Sequence, residues 1–166
     1  MSLSTGQMTM QVSLFDGSSW TQSVPTIGIA PSPRTGASAV FIPQCNGTLP
    51  GVYAPCVLMF GGQGSSGLLG DVWALWVQSI PYVWTSIAAA QTNAPSPRSG
   101  ALATLSSNGQ YAIFYGGVTS TGPTNDVFMF APSGLPNGLY SCILFCILFL
   151  DCLSVLYFFL QQISIL

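Results

Sequence analysis

Pro31-Ser32-Pro33-Arg34-Thr35-Gly36 and Pro95-Ser96-Pro97-Arg98-Ser99-Gly100 are one phrase written twice, 64 positions apart. The agreement spreads outward from it. Trp20-Thr21 recurs as Trp84-Thr85 at the same offset of 64, while Gly61-Gly62 recurs as Gly116-Gly117 and Asp71-Val72-Trp73 as Asp126-Val127-Phe128, each 55 positions on. The fall from 64 to 55 places a nine-residue insertion between Phe41 and Cys56 of the first copy. Self-similarity at this period is the mark of a repeat architecture, in which each unit buries its apolar faces against its neighbours.

Each copy divides into short apolar runs bounded by Gly, Pro, Ser and Asn. These are Ala37–Ile42 and Ala101–Leu105, then Val57–Phe60 and Ala112–Tyr115 running into the Gly pairs, then Val72–Val77 and Val127–Phe130 after the Asp. Runs of this length, rich in β-branched and aromatic residues, read as strands; they are too short for helices. With the strands at Trp20 and Trp84, each unit has four strands. A Gly pair at the end of the second strand suits a backbone with φ > 0 or a close approach that a Cβ would block. Trp20, Trp73 and Trp84 suit packing between units.

This order of landmarks resembles the kelch repeat: Pro-x-Pro-Arg-x-Gly, an apolar strand, Gly-Gly, Asp-Val-aromatic and a closing Trp. The first copy carries Arg34, Gly61, Gly62, Asp71 and Trp84; the second carries Arg98, Gly116, Gly117 and Asp126 and lacks the closing Trp. Val12–Phe15 with Trp20 forms part of an earlier unit, with Gln11 in the Asp position. The resemblance covers residues 11–131. It implies an all-β chain, a partial kelch-type β-propeller of about two four-stranded blades plus part of a third. The blades run over 31–90 and 95–131, the partial one over 11–24, after an N-terminal extension of 1–10. Propellers have roughly four to eight blades. The expectation is therefore a fragment of a longer propeller, a homo-oligomer that completes the ring, or a chain that does not fold stably.

Composition narrows the chemistry. Charged residues are 4% of the chain, two Arg and four Asp, with no His. Ordinary domains carry about 25%. Without His there is no Ser-His-Asp or Cys-His catalysis and no His-ligated metal. Without Lys there is no Schiff base or Walker-type phosphate lysine. Two cations cannot neutralise a nucleic-acid backbone, so no nucleic-acid partner is expected. Galactose-oxidase-type copper enzymes share a kelch-like propeller, and a remnant of one is the remote alternative. Their resemblance implies His/Tyr ligation, for which this chain has no His. No catalytic residue, metal or cofactor is expected.

Four of the six charges stand at repeat landmarks, which points to Arg34 pairing with Asp71 and Arg98 with Asp126, in structural roles. In the insertion, Asn46-Gly47-Thr48 is a glycosylation sequon in a secreted context. Cys45 and Cys56 either form a disulfide closing a short surface loop or stay free thiols.

After a linker over 132–138, residues 139–166 form an almost wholly apolar tail, expected as a helix. Leu139–Leu160 is 22 residues with one charge, Asp151, long enough to span a membrane. Thirteen Leu, Ile, Phe or Val in 142–160, at about −0.5 kcal/mol each, outweigh about +3 for the central Asp. Cys142, Cys146 and Cys152 read as inert thiols. Two readings of the tail stand side by side, a genuine span and a mis-spliced or truncated translation product. The functional expectation is a non-catalytic protein-interaction module with an unknown protein partner, using the loops Gln63–Gly70, Val118–Asn125 and Pro43–Pro55. The alternative is a membrane-tethered kelch-repeat protein held through 139–160.

Overall fold

The computed structural model describes residues 11–46, 53–87, 94–109, 111–131 and 139–141. Among these the chain is all-β. The first strands are β1 (Leu14–Phe15) and β2 (Trp20–Thr21), paired as a hairpin, followed by β3 (Thr26–Ile27). The first large sheet takes β4 (Ser38–Asn46) and β5 (Tyr53–Phe60), then the small ribbon β6 (Gln63–Gly64) and β7 (Gly67–Leu68) intervenes before β8 (Val72–Trp76) and β9 (Tyr82–Ile87). The second copy runs through β10 (Arg98–Ser99), β11 (Leu102–Leu105), β12 (Ala112–Tyr115), the ribbon strands β13 (Val118–Thr119) and β14 (Gly122–Pro123), β15 (Val127–Phe130) and β16 (Leu139–Ser141).

Sheet one has the order β3-β9-β8-β5-β4 and sheet two the order β11-β12-β15-β16. In both, four strands form an antiparallel meander, and sheet one gains β3 as a parallel edge strand beside β9. The N-terminal segment is thus bound to sheet one, with the Tyr82 N–H donating to the Pro25 carbonyl.

Period-2 alternation gives each sheet two faces. The forward face of sheet one carries Ile42, Cys56, Leu58, Phe60, Val72 and Ala74, and packs on Ala112, Phe114 and Phe130 of sheet two. The Phe60 and Phe114 rings meet edge to face at 5.4 Å. The rear face of sheet one carries Met59, Leu75 and Trp84, against which Val12 of the N-terminal segment packs. By repeat position, Ala112, Phe114 and Phe130 match Val57, Met59 and Leu75, which belong to the rear side of sheet one. Forward face therefore meets rear face at both junctions.

Four sequence expectations change here. The expected strand Ala37–Ile42 extends to Asn46, because part of the insertion continues the β4–β5 ladder beyond a register shift between Ile42 and Cys45. Pro43 lies at that shift, where a missing N–H interrupts no regular bond, and β4 is an edge strand. The tail does not begin as a helix: Leu139–Ser141 is the fourth strand of sheet two, pairing with Phe128–Phe130. The second unit therefore extends past 131, and the paired edge of β15 captures the first residues of the apolar run. The linker 132–138 and tail 142–166 lie outside the described residues, as does the extension 1–10. Trp20 is 67% exposed, unlike Trp84 at 7%. Its unit shows only the β1–β2 hairpin, and Trp20 rests on Phe15 at 5.1 Å. Finally, Cys45 and Cys56 are not on a surface loop but are buried between the sheets.

Candidate functional site

The inner strands β5 and β12 both end in a Gly pair, and at that end the charged landmarks converge. Gly61 and Gly116 have φ of +67° and +65°, Gly62 and Gly117 of +105° and +99°. This left-handed turn swings each chain away from its sheet and into the ribbon. At Gly61 a Cβ would also lie 2.5 Å from the Arg98 carbonyl oxygen. The turn leaves the Gly61 and Gly116 carbonyls facing inward, where each needs a donor.

Arg34 and Arg98 supply it with matching geometry. Arg34 Nη1 donates to the Gly61 carbonyl at 3.0 Å and to Asp71 Oδ1 at 2.5 Å, while Nη2 reaches Asp71 Oδ2 at 2.9 Å. Arg98 Nη1 donates to the Gly116 carbonyl at 3.0 Å and to Asp126 Oδ1 at 2.5 Å, with Nη2 to Oδ2 at 2.9 Å. The fork is fixed from behind by Ser32 and Ser96. Their carbonyls accept from Nε at 2.9 and 3.0 Å, and their hydroxyls from Nη2 at 3.1 and 3.0 Å. Each planar guanidinium thus uses its donors in a bidentate carboxylate pair and a clamp on loop carbonyls. Both expected pairs are present.

The two sites differ in their surroundings. Trp73 Nε1 donates to Asp71 Oδ2 at 2.6 Å, a bond for which Phe128 has no donor. Instead the Arg98 guanidinium lies over the Phe128 ring at 4.9 Å. Burial pushes the Asp71 carboxyl up, but hydrogen bonds from Arg34 and Trp73 and the Arg34 charge outweigh it and hold it below its ordinary value. Asp126 follows the same balance, with burial opposed by Arg98 and the Thr124 hydroxyl, and it too lies below.

Arg98 has a further role that the repeat pattern does not expose. Its N–H donates to the Leu69 carbonyl at 3.0 Å and its carbonyl accepts from Gly62 at 2.8 Å, both in the first copy. The Gly100 N–H donates to the Gly36 carbonyl at 2.8 Å, and the Ser38 hydroxyl to the Ala101 carbonyl at 2.6 Å. These bonds stitch the two copies together beside the apolar contact. Ser32 and Ser96 are anchors that the sequence reading does not single out, although their identity within the repeated Pro-Ser-Pro-Arg phrase is a signal for them.

Of the three candidate loops, two share this end: the ribbons within Gln63–Gly70 and Val118–Asn125. Their tips, Ser65-Ser66 and Ser120-Thr121, are exposed. Strand direction sends the insertion to the opposite end of sheet one, so Pro43–Pro55 is not part of the same surface. There Cys45 and Cys56 form a disulfide with Cα atoms 6.0 Å apart. Asn46 is the last residue of β4, opposite Tyr53, and Gly47-Thr48 of the sequon lie outside the described residues.

Among the described residues no cluster of His, Cys, Asp or Glu is placed to hold a metal, and no helix is long and apolar enough to cross a membrane. The candidate span 142–160 lies outside them. No family model matches the chain, and no curated protein matches it in sequence.

Proposed function

We propose that the chain is a non-catalytic protein-interaction module built of kelch-type repeats, its two sheets being adjoining propeller blades preceded by part of another. The observation that carries this reading is the duplicated arginine site. Two guanidinium groups, each at the Gly-pair end of a meander sheet of the same topology, bind a Gly carbonyl, a carboxylate and a Ser anchor with bond lengths that agree within 0.1 Å. Such sites rigidify the ends of the inner strands and hold the ribbons β6–β7 and β13–β14 side by side. Loops on a rigid scaffold are where binding residues concentrate. These ribbons offer Gly, Ser, Thr and backbone groups, which suit hydrogen-bonded contact with another protein.

The test places a photo-reactive residue at Ser66, at Thr121 and, as a control, at Ser107 in the turn at the opposite end of sheet two. We expect the two ribbon positions to capture one common protein, saturably, with loss of capture when Gly64–Gly67 is replaced by an unrelated turn. Equal capture at Ser107, or different proteins at Ser66 and Thr121, rejects a ribbon-borne interaction surface.

A further inference from the structure

We propose that the two ends of this stack bind each other between copies of the chain, the β1–β2 hairpin of one copy docking head to tail on the forward face of sheet two of a second. The inference rests on reading the two sheets as repeats of one unit.

Both internal junctions join a forward face to a rear face. At the first, Val12 lies against Met59, Leu75 and Trp84. At the second, Leu58, Phe60, Val72 and Ala74 lie against Ala112, Phe114 and Phe130. One face of each kind then remains without such a partner among the described residues. In the hairpin, Phe15 and Trp20 hold the repeat positions of Leu75 and Trp84. Those two are 6% and 7% exposed, whereas Phe15 and Trp20 are 49% and 67% exposed. On sheet two, Val127 and Met129 hold the positions of Val72 and Ala74, which are 2% and 1% exposed, yet Val127 and Met129 are only half-buried. Leu102 at the inner edge of the same face is 57% exposed, although Ile113 at its centre is buried.

The unmatched rear face and the unmatched forward face are therefore of the kinds that already pack together twice within the chain. A second copy supplies the missing half of each junction with the same chemistry, Trp20 taking towards Val127 the place that Trp84 takes towards Val12. Charge offers little opposition, since both Arg are held in internal pairs and the one charge of the hairpin, Asp16, sits in its turn and accepts from the Ser18 and Ser19 N–H groups. The contact is heterologous, so it closes into a ring where the rotation allows and otherwise extends. Two copies bring four complete sheets, the lower limit of the roughly four to eight blades of a closed propeller.

Sedimentation of the full chain in a mild non-ionic detergent, for wild type, Trp20→Ser and Met129→Asp, tests this, with Met129→Gln as a gentler second variant and near-UV circular dichroism to verify folding. Wild type is expected to sediment as a multiple of the 17.4 kDa chain. Each variant on its own is expected to sediment as a single chain, and an equimolar mixture of Trp20→Ser with the Met129 variant to recover a two-chain particle, because the mixture contains one intact pair of ends. Single-chain wild type at all concentrations overturns the proposal. So does either variant assembling as wild type does, which is the outcome if the apolar tail or a two-fold Trp20 contact drives association, and so does a mixture that stays monomeric. If assembly fails while the paired arginine responses described below hold, the repeat reading survives and only the head-to-tail contact falls.

Discussion

Arg98 ties the two copies together: its main chain is bonded to Gly62 and Leu69 of the first copy, and its side chain to Gly116 and Asp126 of the second. Arg34 has the same side-chain bonds, all within the first copy. The side chains of both Arg are 2% exposed, while Asp71 is 37% and Asp126 19% exposed.

Arg98→Ala should therefore cost more than Arg34→Ala. Removing Arg98 strands a largely buried carboxylate and an inward-facing Gly116 carbonyl, a loss of about 3–5 kcal/mol. After Arg34→Ala, Asp71 keeps the Trp73 bond and access to water, and about 1–3 kcal/mol is expected. The apolar double replacement Arg98→Met with Asp126→Leu should recover part of the larger loss. Urea unfolding of the three variants measures the order, and equal effects at the two arginines contradict it.

The aromatic junction can be weighed separately. Phe114 is 2% exposed and packs on Phe60. Phe114→Ala should cost about 3–5 kcal/mol through lost burial and the cavity left behind. Phe114→Leu should cost visibly less. Both are read as shifts in the urea midpoint at unchanged slope.

Gly61 and Gly100 have nearly the same φ, +67° and +68°, but different surroundings. An added Cβ at Gly100 meets nothing within 4 Å, while at Gly61 it meets the Arg98 carbonyl. Gly100→Ala should lose about 1–2 kcal/mol from the left-handed backbone. Gly61→Ala should lose clearly more, because the Gly62–Arg98 bond must also give way. Comparable losses in thermal or urea unfolding would show that the close approach at Gly61 is readily relieved.

Stability should depend on pH in one window. Asp71 and Asp126 lie below the ordinary 3.8 in the folded chain. A group whose folded value is depressed contributes its stability above the unfolded value and loses it as pH falls through the folded one. Asp16 acts in the same direction. The backbone N–H groups of Ser19 and Ser18, and then their hydroxyls, hold its exposed carboxyl far below the usual range. The chain has no His to titrate near neutrality. The urea midpoint should thus be level from about pH 5 to 8 and fall below about pH 4. A step between about pH 6 and 7, where only His would titrate, would contradict this assignment.

Reducing the Cys45–Cys56 bridge should lower stability by about 2–3 kcal/mol, as expected for so short a closed loop. Alkylation in urea without reductant should leave both residues unmodified in a peptide map, whereas buried free thiols would react once unfolded. Modification of either one contradicts the bridge.

The strands are legible in the sequence wherever a run is bounded by Gly and matches a second copy, as at Val57–Phe60 and Ala112–Tyr115. The arginine–aspartate pairs are legible too, because two scarce charges that recur together at fixed landmarks in a nearly uncharged chain have few partners but each other. What stays hidden depends on neighbours. Trp20 and Trp84 are the same residue in the same local phrase, yet one is bare and the other covered, which depends on what packs across the face. The insertion reads as a loop because Pro43 and Asn46-Gly47 dominate its composition, while two cysteines extend the buried alternation of the ladder through it. Leu139–Ser141 is submerged in a longer apolar run, whose uniformity conceals the residues that pair with β15.

Both guanidinium groups in the chain are locked inside the scaffold, so its outer surface presents no cationic side chain to solvent. Dissolved salt then has little to screen beyond isolated carboxylates such as Asp16. Whatever this surface recognises should be held with an affinity that hardly changes from dilute buffer to high ionic strength, and acidic polymers should pass it by.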